Sequence, residues 1–270
     1  MMANFIIIIL ITIILTKCFF ILIFDFLKNG GLVMENYRER VIPYGYGLIF
    51  GINLIIILVL GALIETYNVK LSTRLIILVL TMTLIGIIDD TLGQKEFQGF
   101  KGHLYALFFE FRLTTGVLKM ILSFIITFYL FFYWHANLLS AIIATLIVLL
   151  AANFINLLDV RPGRALKGFI VLLGLSFLFQ SNIFLLIPIL IMVLFSLPVD
   201  LKAKGMMGDV GANVLGAVWG FLFIINASRL EQVLILCGLI IINLYSEICS
   251  LSQLIANNRV LNFLDHLGRK

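Results

Sequence analysis

Long apolar runs broken by short polar segments repeat along the whole chain. A helix needs about 20 apolar residues to cross the hydrocarbon core, with about 17 as the shorter limit. Runs of that kind lie at about 4–24, 46–64, 73–88, 117–133, 138–157, 166–179, 183–197, 211–226 and 232–250, the sixth and seventh being the shortest. The pattern predicts an all-α, polytopic transmembrane helix bundle of about nine spans. Residues 1–4 carry no basic side chain and no small-residue cleavage site follows the first run, so that run is expected to stay as a span.

Composition agrees with the pattern. Of 270 residues, 62% are hydrophobic and 12% charged, and the mean hydropathy is +1.16; soluble domains carry about twice that charged fraction. No polar block is large enough to fold alone, which predicts one integral membrane domain over residues 1–270. Cys18, Cys237 and Cys249 show no paired spacing and read as small residues in apolar surroundings. The net charge of +5 comes from residues scattered over loops, without the basic stripe that nucleic acid requires.

The loop charges orient the bundle, because Lys and Arg near span ends favour the cytoplasmic side. Placing the segment after Asp90 in the cytoplasm collects Lys28, Arg38, Arg40, Lys95, Lys101, Arg112, Lys119, Arg161, Arg164, Lys167, Lys202, Lys204, Arg259, Arg269 and Lys270 on that side. Lys70, Arg74 and Arg229 fall opposite, and Lys17 lies inside the first run. With nine spans the amino terminus is expected outside, in a cell membrane of the bacterial cytoplasmic type.

Four segments on the expected cytoplasmic face carry the candidate chemistry: "ENYRERVIPYGYG", "DDTLGQKEFQGFKGH", "NFINLLDVRPGRALKG" and "PVDLKAKGMMGDVGAN". Outer segments such as "WHAN" and "QSN" are short, and His135 reads as structural. Ionisable groups at membrane depth are costly and mark functional sites with a partner to be found. Asp89 and Asp90 end the third run, Asp159 the fifth, and Asp209 opens the eighth. Adjacent carboxylates repel unless a cation neutralises them, and hard oxygen donors suit Mg²⁺, which commonly binds one or two carboxylates together with substrate phosphates. Asn153, Asn156 and Asp159 recur every third residue, near one helical face. Asp209 also has the position of a helix cap between Gly208 and Gly211, with Asn213 one turn on. Lys101, His103, Arg112, Arg161, Arg164 and Lys167 are placed to meet phosphates, although topology alone enriches such loops in Lys and Arg.

Together "IIDDTLG", "NFINLLD" and "MMGDVGAN" resemble, in order and by span, the D-D, N-x-x-N-x-x-D and M-G-D-x-G segments of the polyprenyl-phosphate hexosamine-1-phosphate transferases, the phospho-N-acetylmuramoyl-pentapeptide transferase-like family. The resemblance covers roughly residues 35–220 and includes "IPYGYG", where Tyr46 stands in place of the family's usual Gly. It implies Mg²⁺-dependent transfer of a sugar 1-phosphate from a nucleotide sugar, UDP-linked foremost, to a polyprenyl phosphate, with release of a nucleoside monophosphate, as in cell wall biogenesis. By that likeness Asp89 and Asp90 are catalytic, Asp209 and Asp90 hold the metal, and Asn156 and Asp159 bind substrate; Asn153, by its helical face, and Lys101, His103, Arg161 and Arg164, by charge and position, complete the expected substrate-binding set. The expected partners are the prenyl lipid, the nucleotide sugar and membrane lipids, with no nucleic acid; a homodimer is left open.

Two departures stand out. Where the family continues "GLDGLA" after the Asn-rich segment, this chain has "VRPGRALK", and the family's late histidine cluster is replaced by "IANNRVLNFLDHLGRK", with His266 alone. The sugar and nucleotide therefore stay open. A competing expectation is a non-catalytic membrane protein on the same scaffold, binding or transporting a lipid phosphate; transport predicts acids buried mid-span, and the apolar runs hold none apart from Glu247 near an end.

Overall fold

A computed structural model describes residues 2–93, 99–134, 137–178 and 183–269. Lys95, His135, Lys270 and the "QSN" segment lie outside the described residues. Among the described residues nine apolar helices follow the predicted runs: α1 (Met2–Asn29), α2 (Leu48–Leu63), α3 (Val69–Leu92), α5 (Thr115–Phe132), α6 (Leu138–Leu158), α7 (Arg164–Leu178), α8 (Ile183–Leu201), α9 (Gly208–Ile224) and α10 (Arg229–Ser246). Six of them (α1, α3, α5, α6, α8 and α10) are long and apolar enough to cross a membrane. The chain is an all-α helix bundle of a multi-pass membrane protein.

The polar segments hold structure that the apolar pattern did not predict. A short antiparallel hairpin, β1 (Val33–Glu35) with β2 (Val41–Pro43), precedes α2. Helix α4 (Gly99–Phe109) lies between α3 and α5, and α11 (Leu251–Asn257) and α12 (Arg259–His266) follow α10.

Helix α9 is the hub. Each of its residues except Asp209 is buried, as expected of a helix that is apolar all round. Helices α6, α3, α2 and α7 surround it. In lipid the association of helices rests on close packing of small residues. A methyl group on Gly216 would come within 2.5 Å of Ala152 Cα, and one on Gly86 within 2.3 Å of Val210 Cα. Both positions are therefore backbone-to-backbone contacts, one joining α9 to α6 and the other joining α3 to α9.

The start of α9 is laced to the segment before α2. Met206 N–H donates to Pro43 O at 2.9 Å, while Met206 O accepts from Gly45 and Tyr46 at 3.0 and 3.1 Å. Gly47 N–H reaches Met207 O at 3.0 Å. Distant parts of the chain thus meet at one end of the bundle, where the acidic segments also end.

Candidate functional site

A helix leaves its first N–H groups without intrahelical partners and favours negative charge there. Met207, at the cap of α9, supplies no side-chain bond. Two acids from other helices do so instead. Asp90, from the last turn of α3, accepts Asp209 N–H at 2.8 Å and Val210 N–H at 3.1 Å, one on each carboxylate oxygen. Asp159, just past α6, accepts Gly208 N–H at 3.1 Å. Gly208 has φ +76°, and a Cβ there would sit 2.6 Å from Asp90 Oδ2, so both the turn and the approach require glycine. The Tyr44 hydroxyl donates to Asp90 Oδ1 at 2.9 Å. Burial, and after it the Asp90 charge, raises the Tyr44 phenol well above its ordinary value, so the hydroxyl remains a donor.

Asp89 and Asp209 stand beside this cap, bridged by Lys119 of α5. The Lys119 ammonium is 3.3 Å from Asp89 Oδ2 and closer still to Asp209 Oδ2. Asn156 of α6 donates to the same Asp209 oxygen at 3.1 Å. Asp89, Asp90, Asn156, Asp159 and Asp209 are therefore gathered around one point by three helices, α3, α6 and α9, although they span 121 positions of sequence, from 89 to 209 inclusive. Burial, then the charges of Asp200 and Asp209, holds Asp159 well above the usual carboxylate range.

Two clefts meet at this cluster. The larger, about 700 Å³, is mostly apolar: Met82, Met120, Phe124 and Leu149 line it, while Asp89, Lys119 and Asn156 form its polar end. The other, about 540 Å³, is lined by Tyr44, Asp159, Arg161, Asp200, Asp209 and Arg269, among others. Asn156 borders both.

The remaining candidates are spread around these clefts. His103, on α4, lines the apolar one with Nδ1 2.9 Å from Thr114 Oγ1; burial keeps its imidazole below the ordinary value. Asn153 lines the same cleft and donates to Asn243 Oδ1 at 2.6 Å, tying α6 to α10. Lys101 is exposed and borders neither cleft. Arg161 lines the polar cleft, half-exposed.

Arg164 lies outside both clefts. Its guanidinium grips both oxygens of Asp265 at 2.8 Å and donates to Ser252 Oγ at 2.7 Å. Lys167 donates to the last carbonyls of α12, at 2.7 Å from Leu264 O and Asp265 O. These two cations of the "VRPGRALK" segment thus fasten the C-terminal helix.

Lys119, Tyr44, Asp200 and Arg269 join the site without having been singled out from sequence. Lys119 did carry a signal, as an ionisable group inside an apolar run, but it also fitted the cytoplasmic charge bias. For Mg²⁺ the donor set fits in part: Asp89, Asp209 and the Asn156 amide offer hard oxygens, whereas both Asp90 oxygens accept from the start of α9. Among the described residues no three His, Cys, Asp or Glu groups converge as metal ligands. Neither protein-family models nor curated proteins match this chain.

Proposed function

We propose that the chain is a phosphoglycosyl transferase of the polyprenyl-phosphate hexosamine-1-phosphate type, working at the cytoplasmic face of a nine-span bundle whose amino terminus is outside. The observation that carries the reading is the meeting of an apolar and a polar cleft at one Asp–Lys–Asp bridge. A lipid acceptor needs an apolar approach and a nucleotide sugar an aqueous one. Their phosphates can meet only where the two approaches join.

In the reaction an oxygen of the prenyl phosphate attacks the sugar-side phosphorus of the nucleotide sugar. A new P–O bond forms, the diphosphate P–O bond breaks, and the nucleoside monophosphate leaves with the electron pair. A phosphate monoester has its second pKa near 6, so the acceptor is mostly dianionic at neutral pH. Asp89 accordingly positions the acceptor and takes its residual proton. Lys119 offsets the gathered negative charge, Asn156 holds Asp209 in place, and Arg161 and Arg269 face the donor phosphates as forked cations. Asp209, with Asp89 beside it, would hold Mg²⁺, which supplies further neutralisation of the diphosphate.

The bridge supports a second reading as well. Lys119 already balances the two acids, as it would in a non-catalytic lipid-phosphate binder. Purified protein given farnesyl phosphate, Mg²⁺ and a panel of UDP- and CDP-linked sugars decides between them. The transferase releases nucleoside monophosphate, and Asp89→Asn slows the release at least about 100-fold. Binding of the lipid phosphate without release from any donor assigns the binder.

A further inference from the structure

Asn213 occupies an unusual position. It is 1% exposed, yet neither its Oδ1 nor its Nδ2 has a hydrogen-bond partner among the described residues. Other buried polar side chains there lack a partner at a single atom, as with Asn53 Oδ1, Ser72 Oγ and Thr127 Oγ1, and none of those residues lines either cleft. Asn213 lines the apolar cleft. A buried amide with nothing to bind costs free energy, and folded proteins leave few such groups. The cost is recovered when a polar ligand atom arrives.

Geometry limits what that atom can be. Asn213 follows Asp209 by four residues on α9, so the two share a helical face and are offset by about 6 Å along the axis. Asp209 is at the cluster, in the first turn of α9; Asn213 is one turn further into the bundle, beside the apolar lining of the larger cleft. A phosphate at Asp89 and Lys119 whose hydrocarbon continues down this cleft carries its ester end past Asn213.

We infer that Asn213 is a binding residue for the acceptor lipid, donating Nδ2–H to a phosphate oxygen at the hydrocarbon side of the head group and so fixing how deep that group sits. This rests on the prenyl-phosphate reading above. The inference gives the unpartnered amide its ligand and the apolar cleft its orientation: head group toward Lys119, chain away from it.

The test uses full-length protein in detergent with Asn213→Leu, close in size, and Asn213→Ala. Binding of farnesyl phosphate, farnesol and inorganic phosphate is measured for each, and thermal unfolding is measured for ligand-free Asn213→Leu. The expected result is farnesyl phosphate binding weakened roughly tenfold or more in both variants, with farnesol binding unchanged. Ligand-free Asn213→Leu should melt at or above the wild-type temperature, because an unpaired amide has been replaced by an apolar group. Wild-type affinity for farnesyl phosphate in the variants overturns the inference alone. So does a lower melting temperature for Asn213→Leu, which would mean the amide has a structural partner, and so does an equal loss of farnesol binding. Wild-type protein that binds inorganic phosphate but not farnesyl phosphate overturns both the inference and the prenyl-phosphate reading.

Discussion

Lys119 controls the charge balance of the acidic cluster. Its ammonium contacts Asp89 and Asp209, and the three side chains are only 19–22% exposed. Removing one member of a buried ion pair leaves the other uncompensated, at about 3–5 kcal/mol when burial is complete; with this exposure roughly 2–3 kcal/mol is expected. Lys119→Met should lower thermal stability by that amount, and adding Asp209→Asn should restore part of it, a coupling that a double-mutant cycle measures. Additive losses would mean that the bridge contributes nothing of its own. The same residue shows what sequence can and cannot disclose. The paired acids were legible because charge at the end of an apolar run needs a reason. Lys119 met the same rule, but loop topology already accounted for it. That Asp90 caps α9 was not legible, since the bond joins positions 119 residues apart.

Among the elements, α9 determines whether the site exists, because it brings Asp209 to acids held by α3 and α6. Its closeness to α3 depends on Gly86, where a Cβ would lie 2.3 Å from Val210 Cα and 2.7 Å from Val210 N. Backbone cannot step aside as a side-chain tip can. Gly86→Ala is therefore expected to push α3 away from the start of α9, costing about 1–3 kcal/mol and lengthening the bonds from Asp90 to Asp209 and Val210. Binding or turnover at the cluster should fall further than that stability loss alone explains. Gly216→Ala, facing Ala151 and Ala152 two turns deeper, should match it in stability and spare the cluster more; both effects are read by thermal unfolding alongside activity. The apolar helices were legible from run length, since hydrocarbon thickness sets a minimum. The hairpin, α4 and α11 were not, being too short to stand out as apolar runs of spanning length, with contacts such as His103 with Thr114 made between elements. Helix α12 did leave a trace: Val260, Phe263 and Leu264 fall on one helical face, and all three are exposed.

At the scale of the whole molecule, the C-terminal segment is fastened to the bundle by Asp265. Burial alone would raise this carboxyl, but hydrogen bonds from Arg164 and Arg269 and their charges outweigh it and hold Asp265 well below the usual carboxylate range. A carboxyl lowered by folding contributes stability that is fully present above its unfolded value of about 3.9 and is lost as pH falls through the folded value. Wild-type protein should therefore lose melting temperature as pH drops from about 5 to about 3. Asp265→Asn should start lower and lose less over the same interval, and the difference between the two curves isolates this carboxyl from other titrating acids. Parallel curves would remove Asp265 from the account. The consequence reaches the clefts, because Arg269, held by Asp265 at 2.8 Å and donating to Pro162 O at 3.2 Å, lines the polar cleft. Cutting the chain after residue 257 strips Arg164, which is 5% exposed, of its carboxylate partner Asp265 and should cost roughly 3–5 kcal/mol. Adding Arg164→Met to the truncated chain removes the stranded charge and should restore much of that stability. On the transferase proposal, affinity for the nucleotide sugar should stay low in both truncated forms, since the Arg269 side chain is missing from each.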